Sequence, residues 1–150
     1  MDPDVPARRG SPGRLPSRRL PSGVWRPADG SGPVIVAAHP AAPLTDGMGD
    51  WRAGLDWIRA QCRELGPELI LAGDLNATVD HLDLDGCRDA AAEARAAATG
   101  TWPSTTPAWL AAPIDHVLVG SAWHVREVRA VDATGGTDHR ALVAVLARRD

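Results

Sequence analysis

Apolar residues along the chain fall into short runs and one longer helical stripe. The stripe extends from Trp51 to Leu65, where apolar positions recur at intervals of four, three, four and three residues and predict an amphipathic helix. Asp50 is a suitable N-cap for this helix, and Gly66-Pro67 is a stop signal. The other apolar patterns are typical of strands, at residues 34–38, 69–73, 123–131 and 141–146. The order strand, helix, strand predicts a right-handed βαβ unit if the first two strands are parallel neighbours.

Two further segments separate these elements. The alanine-rich stretch from Arg88 to Thr99 predicts a second helix, which Gly100 ends. Residues 102–113 carry three prolines and predict a loop. Since loops on a rigid scaffold often carry specificity, Trp102 and Trp109 are candidate substrate contacts, although a hydrophobic plug explains them equally well.

The amino-terminal segment has a different composition. Residues 1–32 are rich in Pro, Gly, Ser and Arg, with almost no apolar periodicity. Such a composition buries too little apolar surface to offset the entropy of ordering. We therefore expect residues 1–32 to be disordered or poorly ordered, and the folded domain to cover residues 33–147.

Polar side chains follow two of the predicted strands directly. Asp74 and Asn76 come after the run at 69–73, and His39 comes after the run at 34–38. In open α/β sheets, ligands and catalytic groups gather at the carboxyl ends of strands. Asp and Asn also form turns by bonding to their own backbone, and a His before a Pro is compatible with a solvent-facing turn. Both interpretations stay open for these three residues on local pattern alone.

Two more motifs place Asp and His beside apolar runs. Ile114-Asp115-His116 begins a short apolar stretch, and Thr137-Asp138-His139 precedes the last one. Because side chains alternate along a strand, His116 should point to the face opposite Asp115 and serve a structural role.

These motifs occur in the order found in a known family. Gly73 to Asn76, Ile114 to His116 and Thr137 to His139 resemble the three late motifs of the endonuclease/exonuclease/phosphatase superfamily, the phosphoesterases built like deoxyribonuclease I. The resemblance covers about residues 33–147. It implies an α/β fold, namely a partial deoxyribonuclease I-like sandwich with one mixed β-sheet and flanking helices, in which the amino-terminal half of the fold is missing.

The resemblance also implies catalytic roles for several residues. Asp74 would activate or orient the attacking water, and Asn76 would bond to a phosphoryl oxygen. His139 would contact the phosphate, with Asp115 holding its imidazole in one tautomer. His39 resembles a rim residue that helps hold the scissile phosphate. The implied function is metal-dependent hydrolysis of a phosphodiester or phosphomonoester.

The implied cofactor is Mg²⁺ or Mn²⁺, with Asp138 and Asp74 as metal-supporting carboxylates. The family's principal metal ligand is an early Glu, and residues 1–32 contain neither Glu nor Asn. We therefore expect impaired activity from this chain alone, as from a truncated member. Two alternatives are a non-catalytic, phosphate-contacting remnant of the family and a small structural α/β protein.

Composition narrows the partners only slightly. The net charge of −3 provides no overall basic surface for nucleic acid, so the phosphoester substrate could be nucleic acid, a lipid phosphate or a small phosphate ester. No protein partner can be inferred. Cys62 and Cys87 are too few for a disulfide framework, and Cys62 is expected to be a small core residue. No apolar run is long enough for a membrane span, so we expect a cytoplasmic protein, although some relatives carry an amino-terminal membrane anchor.

Overall fold

A computed structural model describes residues 22–133 and 135–150 as two packed β-sheets with a long helix on one side. The strands are β1 Gly23–Trp25, β2 Val34–Ala37, β3 Leu69–Asp74, β4 Arg88–Asp89, β5 Asp115–Val119, β6 Trp123–Asp132 and β7 Arg140–Arg148. The helices are α1 Met48–Glu64 and the short α2 Ala90–Glu93, with one 3-10 turn at Val79–His81. The predicted α/β class with a mixed sheet is confirmed.

The larger sheet has the strand order β1-β2-β3-β5-β4. Strands β2 and β3 are parallel and joined by α1, as the predicted βαβ unit requires, and the other pairs are antiparallel. In this register Asp74 at the end of β3 lies opposite Asp115 at the start of β5. The carboxyl ends of β2 and β3 and the amino end of β5 therefore meet at one edge of the sheet.

Helix α1 covers one face of this sheet. Alternate strand residues point towards it, including Val36, Leu71 and Leu118, and each of these is fully buried. Ile58 and Cys62 from α1 complete the same cluster. Burying a side chain of this size contributes about 1.5–3 kcal/mol, so this face stabilises the scaffold beneath the polar edge.

The second sheet, formed by β6 and β7, covers the opposite face. Val117 and Val119 of β5 pack against residues such as Val128, Leu142 and Leu146. A β-bulge between Val125 and Glu127 interrupts the pairing of β6 with β7. The two sheets thus form a sandwich, and the connection between β6 and β7 carries the Thr137-Asp138-His139 motif to the polar edge.

Two local predictions are wrong. Helix α1 begins at Met48 with Gly47 as its N-cap, so Asp50 lies within the first turn and does not cap the helix. The predicted helix over residues 88–99 is also wrong over most of its length. Arg88 and Asp89 pair with β5 as strand β4, and only Ala90–Glu93 is helical. Pairing with the sheet outweighs the helix propensity of the alanines, because propensities are worth only a few tenths of a kcal/mol per residue.

The cysteine expectation is corrected as well. Cys62 is buried as predicted, but it forms a disulfide with Cys87, which joins α1 to the segment before β4. The expected poorly ordered segment 1–32 lies partly outside the described residues. Within the described part, Gly23–Trp25 forms an edge strand paired with β2. The expectation for the rest of the segment stays a prediction. None of the described helices combines the length and apolar character needed to cross a membrane.

Candidate active site

The turn after β3 brings the backbone close to a neighbouring strand. Gly73 has φ +154°, and a Cβ at this position would overlap the carbonyl oxygen of Ala38, so only glycine fits. Asn76 adopts φ +49°, and its backbone N–H donates to Asp74 Oδ1 over 2.8 Å. One carboxylate oxygen of Asp74 therefore accepts the hydrogen bond that closes the turn expected from the Asp and Asn residues, while the other oxygen faces two histidines.

The first of these histidines is His139, from the connection before β7. Its Nδ1 lies 2.8 Å from Asp115 Oδ2, and its Nε2 lies 3.7 Å from Asp74 Oδ2. Partial burial acts to lower the pKa of His139, but the hydrogen bond and charge of Asp115, with further contributions from Asp74 and Asp138, outweigh it and raise the pKa. Asp115 fixes Nδ1 as the bonded nitrogen and leaves Nε2 directed towards Asp74.

The second histidine is His39, after β2. Its Nε2 lies 3.5 Å from Asp74 Oδ2, and its backbone N–H donates to Ser22 Oγ. Burial raises the pKa of Asp74 above its ordinary value, while the bond from the Asn76 N–H and the two nearby imidazoles oppose this rise. The site thus combines a partly buried carboxylate, two imidazoles and a second carboxylate, which is the chemistry of proton transfer and anion binding.

Asn76 is held on both sides. Its side-chain Nδ2 donates to the Pro40 carbonyl over 3.1 Å, and its own carbonyl accepts from Trp51 Nε1 over 3.0 Å. As a member of the apolar stripe, Trp51 is predicted only to pack in the helix, so its hydrogen bond to the Asn76 carbonyl is a further role. The helical stripe places Trp51 on the buried face but carries no information about where the indole N–H finds its acceptor.

Asp138 is directed towards another residue. Its Oδ2 accepts a 2.9 Å hydrogen bond from Trp102 Nε1, and this bond lowers the pKa of Asp138. The indole of Trp102 also lies near the His139 ring, with centroids 6.4 Å apart. Trp102, a candidate substrate contact from the sequence, thus belongs to the site, whereas Trp109 is highly exposed and its role stays a prediction.

Metal ligation by Asp74 and Asp138 stays a prediction. Within 22–133 and 135–150, no group of three or more His, Cys, Asp or Glu side chains is placed to hold a metal ion. Asp74 uses one oxygen in its turn, and Asp138 is bonded to Trp102. Mg²⁺ in proteins is commonly bound through one or two carboxylates, and water and phosphate oxygens complete its octahedron, so the second oxygen of Asp74 could serve as one ligand.

His116 lies behind the site, as the strand alternation predicts. Its Nδ1 lies 2.8 Å from Asp89 Oδ2, and its Nε2 lies 2.8 Å from the Ala77 carbonyl. Burial acts to lower the pKa of His116, but the bond to Asp89 outweighs it and raises the pKa. His116 therefore connects β5, β4 and the segment that follows Asn76.

Three sequence motifs thus converge on one edge of a two-sheet sandwich, as in an acid–base hydrolytic site. Comparison with protein families agrees with this class. The sequence profile of the Endonuclease/Exonuclease/phosphatase family matches residues 5–139, so the chain belongs to that family.

Solved structures share the fold at low sequence identity. A functionally unknown conserved protein from Enterococcus faecalis V583 superposes with a TM-score of 0.61 at 17% identity over 85% of this chain. A mannosyl-6-phosphatase from Bacteroides thetaiotaomicron VPI-5482 superposes with a TM-score of 0.54 at 17% identity over 84% of this chain. The chain spans 55% of the length of each of these structures. A comparison with curated proteins found no match.

Proposed function

We propose that this chain carries the phosphate-contacting and proton-transferring residues of a phosphoesterase that hydrolyses a phosphodiester or phosphomonoester. The observation that carries the proposal is the His139 imidazole, bonded through Nδ1 to Asp115 and directed through Nε2 towards Asp74. Family membership supports a phosphoester substrate.

The chemistry follows from the charges around the substrate. Hydrolysis forms a bond from a water oxygen to phosphorus and breaks the ester P–O bond. The leaving oxygen keeps the bonding electron pair and takes up a proton from solvent. In our proposal Asp74 orients this water and accepts its proton, a task that suits a carboxylate whose pKa is raised by burial. His139 offsets negative charge on the phosphoryl oxygens. The His39 imidazole and the second N–H of the Asn76 amide, whose first N–H donates to the Pro40 carbonyl, contribute hydrogen bonds to the same oxygens.

Asp115 acts through His139. A carboxylate bonded to one imidazole nitrogen holds the ring in a single tautomer and stabilises its protonated form. The raised pKa of His139 keeps a larger fraction of the imidazole cationic near neutral pH, which favours contact with an anionic phosphate.

Dependence on Mg²⁺ or Mn²⁺ rests on family resemblance. Asp74 could offer one carboxylate oxygen, with water and the substrate phosphate as further ligands. The described residues contain no three-ligand group that would hold the ion before substrate binds. We therefore expect turnover of bis-p-nitrophenyl phosphate by this chain to be weak, with or without added Mg²⁺.

The test is an NMR pH titration of His139 with and without inorganic phosphate. We expect a raised pKa in the parent chain, a further rise when phosphate binds, and a fall in the pKa when Asp115→Asn removes the carboxylate charge. Asp56→Asn on the exposed face of α1 is the matched control and should leave the titration unchanged. Phosphate binding without any hydrolysis under all metal conditions would favour the non-catalytic alternative. A His139 titration insensitive to both Asp115→Asn and phosphate would overturn the proposal.

A further inference from the structure

The loop of residues 101–113 presents an aromatic side chain beside the site. Trp102 keeps 41% of its surface exposed, although its indole N–H is already bonded to Asp138. Its polar group is therefore used within the protein, and what remains towards solvent is the apolar ring. A tryptophan offers a large contact area at low conformational cost, so a held and exposed indole is well suited to contact a ligand.

This loop is fixed in place at several points. The backbones of Trp102 and Ala112 pair with each other, and Ser104 N–H donates to the Asp138 carbonyl over 2.7 Å. The Arg140 guanidinium donates to the carbonyls of Ser104 and Thr106, each over 2.7 Å. The indole is thus positioned before any ligand binds, so binding loses less conformational entropy than it would with a disordered loop.

The indole also lies at a useful distance from His139. The 6.4 Å between the Trp102 and His139 ring centroids, with a 42° tilt, leaves the indole face beside the imidazole that contacts phosphate in the proposed function. A group attached through one ester oxygen to a phosphate at His139 would lie within contact distance of that face. A flat apolar group gains stacking and dispersion energy there, whereas a methyl group gains little.

We propose that Trp102 is a specificity-determining residue that selects phosphoesters whose leaving group has a flat apolar face next to the ester oxygen. This inference rests on the proposed function, because it takes His139 as the phosphate contact. It adds the chemical class of the leaving group, an aryl or sugar ring bonded directly to the ester oxygen.

The test compares two phosphonates that cannot be hydrolysed at phosphorus, phenylphosphonate and methylphosphonate. Binding to the full chain is followed by NMR at His139 and at the Trp102 indole N–H. We expect phenylphosphonate to bind roughly tenfold more tightly than methylphosphonate, the fold-change that corresponds to one stacked ring. The Trp102 N–H resonance should shift with phenylphosphonate and much less with methylphosphonate.

Variants separate the ring from its hydrogen bond. Trp102→Phe keeps an aromatic face without the N–H and should keep most of the selectivity, while Trp102→Leu should reduce the ratio to about one. Trp25→Leu is the matched control, because Trp25 is also exposed but lies on edge strand β1 opposite Ile35 near the start of β2, away from the site, and it should keep the parent ratio.

The outcomes distinguish this inference from the proposed function. Equal binding of both phosphonates, with His139 shifting in each case, would overturn the role of Trp102 and leave the phosphate contact intact. If neither compound perturbs His139, both the contact and the selectivity are refuted. Should Trp102→Leu fail to fold, the ratio measured on the parent chain and on Trp102→Phe still decides the question. Loss of selectivity in Trp102→Phe would assign the effect to the Asp138 hydrogen bond and overturn the stacking role.

Discussion

Replacing His116 with alanine removes a side chain that links three parts of the fold. Its imidazole is 5% exposed and the Asp89 carboxylate that it contacts is 1% exposed, so the pair is buried. The substitution leaves the Asp89 carboxylate without its imidazole partner, although the Ala92 N–H still donates to it. It also leaves the Ala77 carbonyl without its bond from His116.

The magnitude follows from these contacts. Removing one partner of a buried pair typically costs about 3–5 kcal/mol, and a lost hydrogen bond to a buried carbonyl adds about 1 kcal/mol. Because Asp89 keeps one donor, we expect the lower end of the combined range, a loss of about 4 kcal/mol in the free energy of unfolding. Urea denaturation followed by tryptophan fluorescence would measure it.

The loss should depend on pH in a defined direction. The pKa of His116 is raised above its ordinary 6.5 in the folded state, because the bond and charge of Asp89 outweigh burial. Stability from such a group is fully present below the unfolded pKa and is lost as pH rises through the folded pKa. The difference between the parent chain and His116→Ala should therefore be larger near about pH 5.5 than near about pH 9.

His124→Ala is the matched control, since His124 is exposed on β6 and should change stability by less than about 0.5 kcal/mol. A loss for His116→Ala as small as that of the control would refute the view that the His116–Asp89 pair is an important part of the scaffold. A loss that grows with pH would refute the assigned direction of the pKa.

Two further predictions concern the scaffold. Gly73→Ala should lower the free energy of unfolding by about 3 kcal/mol or prevent folding, because the new Cβ would overlap the Ala38 carbonyl oxygen. Gly49→Ala, at an uncrowded position in α1, is the control and should raise the free energy of unfolding by about 0.5 kcal/mol. Thermal or urea unfolding would measure both changes. A folded Gly73→Ala variant of parent stability would contradict this geometry. Replacing both Cys62 and Cys87 by serine should lower the free energy of unfolding by about 3 kcal/mol. Dithiothreitol should lower the melting temperature of the parent chain but not that of the double serine variant. An equal melting temperature of the parent chain with and without dithiothreitol would argue against the disulfide.

Much of the scaffold could be predicted because its signals are local. The stripe from Trp51 to Leu65 and the run at 69–73 each carry their own period, so the strand–helix–strand unit follows from spacing alone. The motif residues could be chosen in the same way, since Asp74 ends one apolar run and Asp115 lies just before another. Their direct opposition in the sheet depends on strand register, which the chain order does not specify.

The amino-acid sequence by itself determined which residues are polar at the strand ends and which faces are apolar, because these properties belong to neighbouring positions. Only the tertiary structure decided that Arg88 and Asp89 form a strand, that Cys62 meets Cys87, and that Trp102 bonds to Asp138. Each of these contacts joins residues far apart in the chain. They form only when packing of the two sheets brings both partners together, so no local period records them.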